Sequence, residues 1–106
     1  MNVSITATNP KNAQYGQTFE VNAYKTASPV LVVHRGLYNR NSWTITHVPT
    51  QAIVQQHFAT RAGALACANK FAAILDWNTV TMENAGKVFV EYGAQLIAAY
   101  SESKWL

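Results

Sequence analysis

His57-Phe58-Ala59-Thr60-Arg61-Ala62-Gly63-Ala64-Leu65-Ala66-Cys67 is the stretch in which the chain changes its period. Upstream of it apolar and polar residues alternate, the pattern of half-buried strands; downstream apolar residues recur every three or four positions, the pattern of a helix. Thr60 sits at the change, and its hydroxyl suits an N-cap that satisfies an orphan amide of a helix from about Arg61 to Leu75. Ala64, Cys67, Phe71 and Ile74 form one stripe of that helix, and Leu65, Ala68, Ala72 and Leu75 the stripe beside it. Asp76-Trp77-Asn78 is a stop, with Trp77 covering the last turn.

Working back from Thr60, Ile53 to Phe58 reads as a short strand, and Pro49-Thr50 as a turn. Trp43, Ile45 and His47 alternate with Thr44 and Thr46. Val30-Leu31-Val32-Val33 is apolar on both faces, as in a central strand. Gly36 to Asn41 is a turn cluster, so Val30 to Arg35 and Ser42 to Val48 form a predicted hairpin. Further back, Phe19, Val21 and Ala23 alternate with Thr18, Glu20 and Asn22, and Val3, Ile5 and Ala7 with Ser4, Thr6 and Thr8. Pro10 to Gly16 reads as a loop between these two strands.

Working forward, a second helix begins near Thr79 or Thr81 and runs to about Ser101. Its expected buried line is Met82, Ala85, Phe89, Tyr92, Leu96 and Ala99. Gly86 and Gly93 lie seven apart, each costing about 1 kcal/mol of helix propensity against Ala, and close packing against a neighbouring element is the expected reason. Strands followed by helices predict an α+β fold: an antiparallel sheet of four to five strands in the first half, then a two-helix hairpin packed on one face. The other face is expected to show Thr, Asn and Gln to water or to a partner.

Length and composition bound what such a fold can do. The 106 residues make one domain, 1–106. Hydrophobic residues are 49% and charged residues 12%, a combination that argues against intrinsic disorder. The net charge of +3 excludes a strongly acidic nucleic-acid mimic. Mean hydropathy is −0.06 and no apolar run approaches membrane-spanning length, so no membrane partner is expected. Met1 to Asn12 lacks a cationic start and an apolar core, and no signal peptide is expected there. The single Cys67 excludes an internal disulfide framework and fits a reducing compartment, so a cytoplasmic location is expected.

Catalytic chemistry finds no support. His34, His47, His57 and Cys67 lack the paired spacing of two to five residues that aims two ligands at one metal ion. Cys67 sits in the apolar stripe of its helix, where a thiol behaves as a small hydrophobe. Glu83, Glu91 and Glu102 are spaced for a solvated face, and no glycine-rich phosphate loop exists. No catalytic residue, metal site or cofactor is therefore expected, and the enzyme class is the least favoured.

Binding is better supported. Up to Ile53 the basic residues are Lys11, Lys25, Arg35 and Arg40 against Glu20, so the whole positive excess sits on the sheet half. Lys25, Arg35, Tyr38, Asn39, Arg40 and Asn41 cluster about the central hairpin as candidate partner-binding residues. Cations there suit phosphates while Tyr38 stacks and an Asn reads a base edge, yet four positive charges are few for binding driven by counterion release. Trp43 shares a strand face with Ile45 and reads as a core residue. Trp105-Leu106 is an apolar pair that either folds back on the core or belongs to an interface, which adds Trp105 to the candidates.

Trp43-Thr44-Ile45-Thr46-His47-Val48-Pro49-Thr50, then Phe58-Ala59-Thr60-Arg61 and an Ala-rich helix, resembles a pattern in small uncharacterised phage and plasmid proteins. The resemblance covers Trp43 to Leu75. Chains of this size with polar, weakly charged surfaces are also similar to phage anti-defence proteins such as anti-CRISPRs. That resemblance implies a non-enzymatic inhibitor that binds a host protein or nucleoprotein complex and occludes a substrate or partner site. The chain is basic where many such proteins are acidic, so steric occlusion rather than DNA mimicry is the implied mechanism. The alternative is a small nucleic-acid-binding regulator using the basic hairpin. A homodimer is compatible with either.

Overall fold

In the computed structural model, residues 1–6, 16–37 and 40–106 are described. The strands are β1 (Asn2–Thr6), β2 (Thr18–Asn22), β3 (Tyr24–Lys25), β4 (Leu31–Arg35), β5 (Trp43–His47) and β6 (Ala52–Phe58). Helix α1 (Arg61–Ile74), a 3₁₀ turn over Trp77–Thr79 and helix α2 (Ala85–Ser103) follow. The fold is therefore α+β, with the sheet preceding the helical hairpin. Ala7, residues 10–15 of the expected loop, and Tyr38 and Asn39 lie outside the described residues.

The strands divide between two antiparallel sheets, β1-β2 and β3-β4-β5-β6. The central hairpin pairs as expected, Leu31 opposite His47 and Arg35 opposite Trp43. Between β5 and β6 the register slips twice: Trp43 pairs with Phe58, Ile45 with Gln55 and Thr46 with Ile53. The extra residues of β6 form bulges, which bend the strand and re-aim its side chains. His57, at φ 73°, lies in this irregular stretch, and Phe58 beyond it is fully buried.

Helix α1 covers the face of the large sheet that carries Leu31, Val33 and Ile45. With Phe58, Ala64, Cys67, Ala68 and Phe71 these residues make the main core. Burying about ten such side chains from water at about 1.5–3 kcal/mol each for the larger ones is the principal stabilising term. Trp77 covers the last turn of α1 as expected and is also part of this core: it is buried, and its Nε1–H donates to the Phe71 carbonyl at 2.8 Å.

The opposite face of the sheet corrects the expectation of a polar surface. Val32, His34, Thr44 and Thr46 are all buried there. Ile5 of β1 is buried too, and the Thr6 N–H donates to Gln51 Oε1 in the β5–β6 turn at 2.7 Å. At its other end the small sheet is tied by the Ala23 N–H donating to the Met1 carbonyl at 2.7 Å. Alternation marks a two-sided strand, but it does not say whether the polar side meets water or a second sheet.

Helix α2 differs from the expected one in start and in buried face. The Trp77–Thr79 turn and a turn closed by Ala85 N–H to the Thr81 carbonyl (3.0 Å) precede it, so Met82 lies before the helix. Of the expected line, Leu96 and Ala99 are buried and Ala85 and Tyr92 half-buried, whereas Met82 and Phe89 are exposed. A Cβ on Gly86 or Gly93 would meet nothing within 4 Å, so close packing within the chain is not their role. Gly63 has that role: a Cβ there would lie 2.9 Å from the Ser103 carbonyl oxygen.

Candidate functional site

Antiparallel pairing brings the last residue of β4, the first of β5 and the last of β6 to one end of the molecule. The first turn of α1 and the last turn of α2 reach the same end. Arg35, Trp43, Phe58, Arg61 and Tyr100 are the residues that this arrangement assembles.

Their side chains form a ladder of cations and rings. The Arg35 guanidinium lies 4.7 Å from the centre of the Trp43 ring. Trp43 meets Tyr24 edge-on at 6.0 Å, and the Arg61 guanidinium lies 4.5 Å over the Tyr24 ring. Each such cation–ring contact contributes about 0.5–1 kcal/mol at an exposed site. Arg35 also donates through Nη1 to the Arg40 carbonyl at 2.7 Å, which fixes the hairpin turn. Tyr24, Arg35, Arg40 and Trp43 line a cleft of about 230 Å³ with Glu20, Val21 and Asn22. Ser4 Oγ donates to Glu20 Oε1 at 2.9 Å and holds that carboxylate at the rim.

A second branch leads to the last turn of α2. Phe58 stacks edge-on against Tyr100 at 5.2 Å. Lys104 Nζ lies 5.7 Å from the Tyr100 ring and 5.3 Å from that of Trp105. Trp105 is 83% exposed, which decides its place: it stands at the surface, not in the core. Among the described residues the one ion pair is Lys70 with Glu102 at 3.0 Å, and Arg35, Arg40, Arg61 and Lys104 have no carboxylate partner among those residues.

Of the predicted residues, Arg35, Arg40 and Trp105 come to this end, with exposed Asn41 beside Arg40. Lys25 does not. It follows Tyr24 on β3 and points the other way, into a hollow lined also by Met1, Pro29 and Val32. Tyr38 and Asn39 lie outside the described residues. Sequence reasoning missed Tyr24, Arg61 and Lys104, and assigned Trp43 to the core alone. Trp43 is half-buried against the core with its ring also under Arg35. No spacing in the sequence joins residues 24, 43, 61 and 104; only the return of the chain does.

The histidines and Cys67 do not gather into one cluster among the described residues. Buried His34 donates from Nδ1 to the Arg35 carbonyl and accepts at Nε2 from Thr46 Oγ1, both at 2.7 Å. Burial holds its pKa below the ordinary histidine value, although the Arg35 carbonyl acts in the opposite direction. His47 donates from Nε2 to the Trp77 carbonyl and accepts at Nδ1 from Thr50 Oγ1, both at 2.8 Å. These pairings use every ring nitrogen of both side chains. Burial pushes the Cys67 thiol up to about 12, against a smaller lowering by Lys70. Among the described residues no three of His, Cys, Asp and Glu stand together as a metal-ion cluster, and no helix is long and apolar enough to cross a membrane.

Comparison with family models, with curated proteins and with solved structures finds no match to this chain.

Proposed function

We propose that the protein is a non-enzymatic binding protein that inhibits a host defence complex by occluding a substrate or partner site. The Arg35–Trp43–Tyr24–Arg61 ladder is the observation that supports it. Arg, Trp and Tyr are the residue types that dominate binding hot spots, because they offer large contact area at low entropic cost. Here cations and rings are already stacked on one another, so little side-chain freedom remains to be lost on binding. The phage origin in this reading rests on the resemblance of residues 43–75 to small phage and plasmid proteins, and the host target on the similarity in size and weakly charged surface to phage anti-defence proteins.

Nucleic acid is the second reading, and the alternation of rings and cations favours it, since bases stack on rings while cations follow phosphates. Glu20 at the rim weighs against it by placing a carboxylate among the phosphate-binding cations. Capture of partners from host lysate, with and without nuclease, separates the two. A nuclease-resistant partner lost on Arg35→Ala with Arg40→Ala supports occlusion. A partner lost on nuclease treatment, with a salt slope reduced by about one for each Arg removed, supports the nucleic-acid reading instead. Binding unchanged by the double substitution removes this surface from both.

A further inference from the structure

The cleft beside the Arg35–Trp43 pair holds opposite charges that do not meet. Glu20, Arg35 and Arg40 all line it, yet neither guanidinium forms an ion pair with the carboxylate. Glu20 belongs to β2 of the small sheet, Arg35 and Trp43 to β4 and β5 of the large one. Other contacts hold the two charges in place. Ser4, directly opposite Glu20 in the strand pair, donates from Oγ to Glu20 Oε1 at 2.9 Å. Arg35 is fixed by the ring of Trp43, its own cross-strand partner, and by the Arg40 carbonyl.

Both charges keep hydrogen-bonding capacity to spare. Arg35 uses Nη1 on the Arg40 carbonyl, and its other N–H groups meet no acceptor among the described residues. The Arg40 guanidinium meets none there, and Glu20 Oε2 accepts from no donor there. A ligand that satisfies this cleft must therefore offer acceptor oxygens to the arginines and an N–H or O–H to Glu20. A carboxylate matches the fork of a guanidinium through paired hydrogen bonds. A phosphodiester offers acceptors alone and faces Glu20 as an uncompensated like charge. A peptide segment with Asp or Glu offers both groups, since a backbone N–H accompanies its carboxylate.

Size agrees with one residue rather than a whole small molecule. The cleft holds about 230 Å³, below the range of about 300–1,000 Å³ usual for small-molecule sites. Tyr24 and Trp43 give it apolar walls for the methylenes of an acidic side chain. We infer that the cleft takes an aspartate or glutamate side chain of a partner protein. Its carboxylate lies on Arg35 and Arg40, and a neighbouring backbone N–H is directed to Glu20. This deepens the occlusion reading and rests on it, by naming the group that the occluded protein presents.

The test is titration of the full chain with N-acetylglutamate N-methylamide, read by NMR at the Arg35 and Arg40 Nε–H and at the tryptophan indole N–H signals. Saturable shifts are expected at Arg35, Arg40 and Trp43, with Trp77 and Trp105 unmoved. The glutamine analogue, equal in shape but uncharged, is expected to bind about tenfold more weakly. Dimethyl phosphate, which has charge but no donor, is expected to bind more weakly too, and Glu20→Ala to abolish that difference. Arg35→Lys keeps the charge and loses the fork, and a loss of about fivefold is expected. Absence of saturation overturns the inference, as do shifts shared equally by Trp105. Dimethyl phosphate binding as tightly as the glutamate probe overturns it as well. These comparisons on the wild-type chain need no variant to fold. If they fail while a nuclease-resistant lysate partner is still lost on Arg35→Ala with Arg40→Ala, the carboxylate assignment falls and occlusion stands. A lysate partner lost on nuclease treatment overturns the occlusion reading and, with it, the protein ligand.

Discussion

Gly63 and Ser103 meet where the first turn of α1 abuts the last turn of α2: a single added methyl on Gly63 would lie 2.9 Å from the Ser103 carbonyl oxygen. Three atoms surround that point, since Thr60 Oγ1 and the Leu106 carbonyl would lie at 3.3 and 3.4 Å. Two of them are backbone and cannot rotate away. Gly63→Ala is therefore expected to destabilise the fold by about 1–3 kcal/mol, despite the better helix propensity of Ala. Denaturant unfolding measures it. A gain in stability would show that the helices separate at no cost.

Thr60 ties the same junction. Its Oγ1 accepts from the Gly63 N–H at 3.0 Å and donates to the Leu106 carbonyl, so one hydroxyl caps α1 and holds the chain beyond α2. Thr60→Val keeps the shape and removes both bonds. A loss of about 1–2 kcal/mol is expected, with Thr60→Ser recovering most of it. Equal unfolding midpoints for Val and Ser would contradict the capping role.

His34 makes stability depend on pH. Its folded pKa lies below the ordinary 6.5 because burial penalises the charged ring. The unfolded chain therefore takes up a proton at a pH where the folded chain does not. His34 contributes fully above about pH 6.5, and its contribution is lost as the pH falls below that value. Urea midpoints at pH 7.5 and 5 are expected to fall less for His34→Asn than for the wild type. Parallel loss in both would place the pH dependence elsewhere.

Cys67 should react only when the chain opens. Its side chain is buried and its thiol is held protonated at neutral pH, with a pKa of about 12. A thiol reagent is expected to label the native protein at the rate of unfolding, and denaturant to make labelling immediate. Cys67→Ala is expected to cost about 1 kcal/mol through the small cavity it leaves. Immediate labelling under native conditions would mean that α1 is not sealed on the sheet.

The α+β class, the central hairpin, the cap at Thr60 and the burial of Cys67 were legible in the sequence. Each is settled by residues near one another in the chain: the two-residue period of strands, the helical period of the Ala-rich stretch, and a hydroxyl three residues before the amide it caps. The helical period also revealed that α2 has an apolar side. It did not reveal which apolar side is buried, because two stripes run along that helix and only contact with α1 and β6 chooses between them.

What the tertiary structure alone decided has the same physical character throughout. Thr44, Thr46 and His34 alternate as surface residues do, yet all three are buried. Gly63 looks like a weak position in a helix until Ser103, forty residues on, arrives above it. The ladder of Arg35, Trp43, Tyr24 and Arg61 joins three strands and a helix whose residues share no spacing. Local periodicity fixes which way a side chain points from its own element. What it points at depends on how the chain returns, and that is set by the packing of the whole molecule.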